Sequence, residues 1–216
     1  MTRLNLGCGP NVFGGDWLNY DLEPPVEYLE AMSGMEAQPS LPAHQLKLIE
    51  WLASGGVHLA YHDMRQGLPT VVEPIRAIYL GQCVEHLNPY TELPKLLRDC
   101  REGLAPGGRL RITTPDMRML LEVLYSEQMG ELAARFGFDR KAQPEQLFAW
   151  LVFGVGEKDT HECYRGHMHL FTVDTLSLEL YKAGFSEVHV LPEPSELFAD
   201  VIDQGMEYAM GLEAVR

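Results

Sequence analysis

Two glycines flank a cysteine near residue 8, in Gly7-Cys8-Gly9-Pro10. Backbone without side chains lets a ligand come close. Three more polar breaks each follow a short apolar run: Asp21-Leu22, Asp63-Met64 and Gln82-Cys83. A carboxylate only accepts hydrogen bonds and has room for several. Asp21 can therefore take both hydroxyls of a ribose. Asp63 can take the amino group of an adenine, with the Met64 backbone amide facing a ring nitrogen. His86, shortly after Gln82, is the first candidate for a general base. These residue types suggest nucleoside binding beside a proton acceptor.

The elements that must position them alternate between apolar runs and helical patterns, which predicts a parallel sheet with helices on both faces. Strands are expected at Arg3 to Leu6, Trp17 to Tyr20, Val57 to Tyr61, Ala77 to Leu80, Arg109 to Thr113, Glu187 to Leu191 and Glu207 to Val215, the last being compatible with a helix as well. Helices are expected over Pro42 to Ser54, Leu93 to Leu104 and Val173 to Ala183, with Gly55 and Gly184 suited to the left-handed turn after a helix end. The stretch from Glu23 to Leu41, opening with Pro24-Pro25, reads as irregular. From Met117, the residues Leu120, Leu121, Leu124 and Leu132 recur at helical spacing, and Pro144 to Val152 reads as another helix. Together these predict a single domain over residues 1–216 with a helical, lid-like insertion at about 117–165. Tyr125, Phe148 and Trp150 in that insertion can line an apolar pocket.

In open sheets of this kind, ligands bind beyond the carboxyl ends of the strands. Gly7 to Pro10, Asp21, Asp63, Gln82 and Thr114 all fall at such ends, so segments far apart in sequence converge on one rim.

Composition narrows the partners. With 46% hydrophobic and 22% charged residues the chain is an ordinary globular one. A net charge of −14 repels phosphate backbones, so nucleic acid is not an expected partner. The cysteines Cys8, Cys83, Cys100 and Cys163 form no CxxC pair, which argues against a zinc or disulfide framework. No apolar run reaches membrane-spanning length and no leader is evident. A cytoplasmic protein is expected.

A dinucleotide is the obvious competitor for the rim. Its fingerprint is G-x-G-x-x-G with an acidic residue about 20 positions on. Val12 stands where the third glycine belongs, and Asp21 comes too early.

The segments Leu4-Asn5-Leu6-Gly7-Cys8-Gly9-Pro10, Trp17-Leu18-Asn19-Tyr20-Asp21, Gln82-Cys83-Val84-Glu85-His86-Leu87, Leu104-Ala105-Pro106-Gly107-Gly108-Arg109-Leu110 and Gly166-His167-Met168-His169-Leu170-Phe171 occur in that order. Together they resemble the motifs of the class I S-adenosylmethionine (SAM)-dependent methyltransferases. The resemblance implies a Rossmann-like α/β fold with a mostly parallel seven-stranded sheet, SAM as cofactor, and methyl transfer to an O or N atom of a small molecule such as a secondary metabolite or sugar. It implies cofactor contacts from Asn5, Gly7, Cys8, Gly9, Pro10, Asp21, Leu22, Asp63, Met64, Gln82 and Cys83, and catalytic roles for His86 and His169. The family usually carries one or two helices before the first motif. Another cover is therefore expected, either the 117–165 insertion or a second subunit in a homodimer.

Some relatives hold a divalent cation with a Glu-x-x-Glu-His motif and a later His. Glu85, His86 and His169 match, but Gln82 replaces the first Glu. A neutral amide is a poor ligand for a hard cation. A shared hydrogen-bond network is expected there rather than a metal. Two other functions remain open: a SAM-binding enzyme of elimination, cyclisation or rearrangement, and a degenerate SAM-binding partner subunit.

Overall fold

The computed structural model describes residues 1–126, 129–135, 143–153, 166–191, 195–203 and 208–216, with the side chains of 132 and 150–153 outside the description. Seven strands form one sheet: β1 (Thr2–Leu6), β2 (Trp17–Asp21), β3 (His58–Tyr61), β4 (Ile75–Gly81), β5 (Leu104–Pro115), β6 (Glu187–Val190) and β7 (Ala209–Val215). Their order across the sheet is β3-β2-β1-β4-β5-β7-β6. All pairings are parallel except those of β7, which runs antiparallel to both β5 and β6. Strand order reverses between β1 and β4, the switch point where such sheets bind ligands.

The two faces differ in chemistry because side chains alternate along a strand. Leu4, Leu6, Ile78, Leu80, Leu110, Ile112, Leu212 and Ala214 point to one face. Helices α3 (Glu92–Gly103) and α7 (Val173–Ala183) cover it with Leu93, Leu96, Leu97, Leu176 and Leu180. α7 starts in a capping box between Thr172 and Thr175 and ends at Gly184 in the left-handed conformation, φ +97°.

The opposite face carries Phe13, Trp17, Ala77, Tyr79 and Phe198, together with the buried polar residues Asn5, Asn19, Arg3, Arg111 and Glu213. Two helices, α1 (Val26–Ser33) and α2 (Ala43–Ala53), pack Met32, Leu48 and Ile49 against Cys8 and Val12. A strap, Ser195 to Asp203, is pinned to the sheet. Arg3 bonds both oxygens of Asp200 (2.6 and 2.8 Å) and the Leu197 carbonyl (3.1 Å). The Trp17 indole N–H donates to Asp200 as well, while Arg111 pairs with Asp203 and Glu213.

Beyond β5, helices α4 (Met117–Leu124), α5 (Met129–Arg135) and α6 (Pro144–Phe153) share a separate small core of Leu120, Leu124, Ala133 and Leu147.

Two expectations are corrected. Residues Val26–Ser33 are helical, because Tyr28, Leu29 and Met32 lie at helical spacing and find an apolar partner in α2. β5 begins at Leu104, ahead of the Pro-Gly-Gly turn, and its register against β4 jumps from Ile75↔Leu104 to Ala77↔Arg109. The turn is thus a bulge within the strand, with Gly107 at φ +74°. Tyr125 ends α4 with 77% of its surface exposed.

Candidate active site

The first glycine turn is built by a short buried hydrogen-bond chain. Asn5 lies on the polar face of β1, 1% exposed, and donates to the Asn11 carbonyl (2.7 Å) and to Asn19 Oδ1 (2.9 Å). Asn19 in turn bonds the Phe13 N–H and C=O. Asn5 does not line the cavity: its amide nitrogen is spent on shaping the loop, and its Oδ1 is buried without a partner. Gly7 and Gly9 then adopt φ +65° and +47°. A β-carbon on Gly7 would strike Met64 and Cys83, whereas one on Gly9 would meet nothing within 4 Å. The first glycine is needed for packing and the second leaves its backbone open.

A cavity of about 410 Å³ lies beyond the strand ends. Gly7, Cys8, Gly9 and Pro10 line it from the β1 turn, Asp21 and Leu22 from β2, Asp63 and Met64 from β3, Gln82 and Cys83 from β4, and His86 from the turn after β4. Ten of the eleven sequence-predicted cofactor residues thus face one space, Asn5 being the exception. Tyr79, Asn11, Glu23, Arg65, Gly81 and Leu87 complete the wall.

Asp21 accepts from the Gly9 N–H at 2.8 Å and from the Glu23 N–H at 3.0 Å, one at each oxygen, which leaves lone pairs on both. Asp63 caps a 3₁₀ turn, Met64–Gln66. The Arg65 guanidinium grips both its oxygens at 2.8 Å and holds the carboxyl below its ordinary range. Burial pushes the thiols of Cys8 and Cys83 up, so neither is an activated nucleophile. Cys83 points its sulfur at the Leu6 carbonyl (3.6 Å) and packs as an apolar residue.

Gln82 is the sole non-glycine residue with positive φ, +52°, among those described. Its N–H donates to the Thr113 carbonyl (2.8 Å), but its side-chain Nε2 is buried without a partner. Gly81 before it leaves room for the Tyr79 ring, which a β-carbon would strike.

Past Gln82 the chain dives inward. Glu85 is 1% exposed and accepts from the Thr114 hydroxyl at 3.0 Å; burial raises its carboxyl to about 7. The Glu85 carbonyl accepts from the Met168 and His169 N–H groups, tying the returning segment to the site. That register brings His167, rather than His169, to His86. The two imidazoles meet edge to face with centroids 4.9 Å apart, and Glu85, His86 and His167 offer ligand atoms within 4.8 Å of one another. The His169 ring instead packs on Phe171 at 4.6 Å. His167 and His169 stand two residues apart in one motif, so the sequence alone could not tell which of them meets His86. His161, Glu162 and Cys163, close to this cluster in sequence, lie outside the described residues, as does the Trp150 side chain.

Sequence reasoning missed Arg65, whose signal was its place two residues after Asp63, where a turn lets the side chain fold back. It also missed Tyr79, which alternation puts on the face of Asn5 and Asn19.

No protein-family model and no curated protein matches the sequence. Solved structures do match it in fold. A SAM-dependent methyltransferase from Mesorhizobium loti superposes with a TM-score of 0.52 at 15% identity, over 100% of this chain and 90% of that one. The SAM-dependent methyltransferase SibL, in its apo form, gives 0.51 at 14% identity over 100% and 50%. An O-methyltransferase family 2 protein from Planctomyces limnophilus, in complex with apigenin, gives 0.50 at 14% identity over 100% and 50%. The chain spans about half the length of the latter two. At these identities the likeness speaks for the fold alone, a Rossmann-like α/β fold shared with solved SAM-dependent methyltransferases.

Proposed function

We propose that this protein is a SAM-dependent methyltransferase acting on an oxygen or nitrogen atom of a small molecule, a secondary metabolite or a sugar. One observation carries the reading: glycine backbone, two carboxylates and a histidine from four strand ends meet on a single cavity at the switch point.

The residues fit an adenosyl cofactor. A volume of about 410 Å³ lies within the usual span of small-ligand sites. The open backbone at Gly9 suits close approach of a ligand without a pyrophosphate. In this reading Asp21 holds the ribose hydroxyls, and Asp63 with the Met64 amide holds the adenine. Gln82 and Cys83 face the amino-acid end. When bound, SAM supplies a methyl group on a sulfonium, open to displacement by a nucleophile.

The chain's own contribution is alignment and a proton acceptor. Holding the acceptor in line contributes up to roughly 7–11 kcal/mol, whereas a positioned base adds about 10²–10⁴-fold. Alignment thus dominates. His86 takes the proton of the acceptor's hydroxyl or amine, and His167 packed against it limits how the ring can turn. The apigenin complex of the Planctomyces limnophilus protein supports an acceptor of small-molecule size.

Calorimetric titration tests the cofactor. SAM and S-adenosylhomocysteine are expected to bind and NAD is not; equal affinity for NAD, or no binding of SAM, overturns the reading. Activity is tested by formation of S-adenosylhomocysteine together with a methylated acceptor.

A further inference from the structure

We propose that Arg65 sets the base specificity of the cavity, by fixing Asp63 as an acceptor for a single exocyclic amino group. The inference rests on the cofactor reading above and adds to it what the Asp63 end selects.

An ionised carboxylate has about four lone-pair directions. Arg65 occupies three of those on Asp63. Oδ1 accepts from the Arg65 backbone N–H (3.0 Å) and from Nε (2.8 Å), and Oδ2 accepts from the second guanidinium nitrogen (2.8 Å). One direction on Oδ2 is left for a donor. Both residues line the cavity, and the Asp63 side chain is only 11% exposed. A free carboxyl at a turn could rotate, or take up a proton and donate to a carbonyl oxygen. The bidentate clamp forbids both, since it fixes the plane and keeps the group ionised. A 6-amino purine offers the donor that remains possible. A 6-oxo purine offers a lone pair against a negative charge.

The turn has its own anchors. The His62 ring nitrogen meets the Gly67 carbonyl at 2.8 Å, and Lys95 Nζ donates to the Gln66 carbonyl at 3.1 Å. Loss of the Arg65 side chain therefore leaves the turn in place and frees the carboxylate within it. Arg65 is a positioning residue, acting through Asp63.

The test compares S-adenosylhomocysteine with its 6-oxo analogue, S-inosylhomocysteine, by calorimetry on the full chain. Wild type is expected to prefer the amino compound by about 10- to 100-fold, the usual weight of a hydrogen bond to a charged group. Arg65→Leu should narrow that ratio at least threefold, and Arg65→Lys, which keeps the charge but not the fork, should restore part of it. A purely structural role would weaken both compounds alike, so an unchanged ratio in both variants overturns the proposal. Should Arg65→Leu fail to fold, the Lys variant decides alone: a ratio between one and the wild-type value supports the clamp, and an unchanged ratio overturns it. Equal affinity of wild type for the two compounds sinks this inference and leaves the cofactor reading standing. Failure of wild type to bind either compound sinks both.

Discussion

Gln82 holds a backbone conformation that costs an L-residue roughly 1–2 kcal/mol, and it leaves a buried amide nitrogen unpaired at the cavity wall. Strain of this kind persists where surrounding structure over-determines it, and it clusters at ligand sites. Gln82→Gly should therefore raise unfolding stability by about 1 kcal/mol in urea melts while weakening SAM binding. A variant that is both less stable and equally tight would contradict this account. Asp21→Ala should weaken SAM binding by roughly 1–3 kcal/mol, the loss of hydrogen bonds to a charged acceptor; unchanged affinity would remove Asp21 from the site. Much of this wall could be read directly, because glycine and carboxylate punctuation after an apolar run is a local signal. Arg65 and Tyr79 were missed, and His169 rather than His167 was expected beside His86, for the opposite reason. Arg65 reaches the site by a local fold-back onto Asp63, and the other two through a register that exists only once distant segments are paired.

Elements with a complete local signature were legible nearly to the residue. α7 has its capping box, its apolar spacing and its terminal glycine in sequence, and it forms over the expected residues. α1 has the spacing and a terminal Gly34, which does not take the left-handed conformation, but Pro25 stands where a capping side chain would, so its helicity depends on α2 being there to pack against. The missing β5 start has a similar cause: Pro106-Gly107-Gly108 reads as a stop, yet Leu104 is still held in the sheet by pairing with Ile75. Close packing between elements also leaves marks that alternation cannot reveal. A β-carbon on Gly14 would collide with the Trp51 ring of α2, so Gly14→Ala should cost about 1–3 kcal/mol by overpacking. A thermal melt shows it. Trp51→Leu in the same chain should recover part of the loss.

For the whole molecule, the most informative variable is pH. Burial raises the Glu85 carboxyl from 4.5 to about 7, so the folded chain binds that proton more tightly than the unfolded one. Its contribution is intact below about pH 4.5, declines as pH climbs to about 7, and is lost beyond. The decline amounts to at most about 3 kcal/mol. Glu85→Gln removes the titrating group and keeps an oxygen for the Thr114 hydroxyl. Urea melts should show the variant more stable than wild type at pH 8 and nearly equal at pH 4.5; equal stabilities at both values would refute the assignment. Asp16 and Asp63, held low by their arginines, act in the opposite sense and only in more acid solution.

The strap over the polar face has a consequence in time. β1 lies inside the sheet, between β2 and β4, and its Arg3 finds its bidentate partner almost two hundred positions later, at Asp200. While the polypeptide is being synthesised, that guanidinium must stay hydrated, since burying it half-paired would cost several kcal/mol. This interior strand is therefore among the first segments made and among the last to be sealed. Nascent chains released short of residue 200 should linger in an open, protease-sensitive form, however well α3 and α7 have already docked.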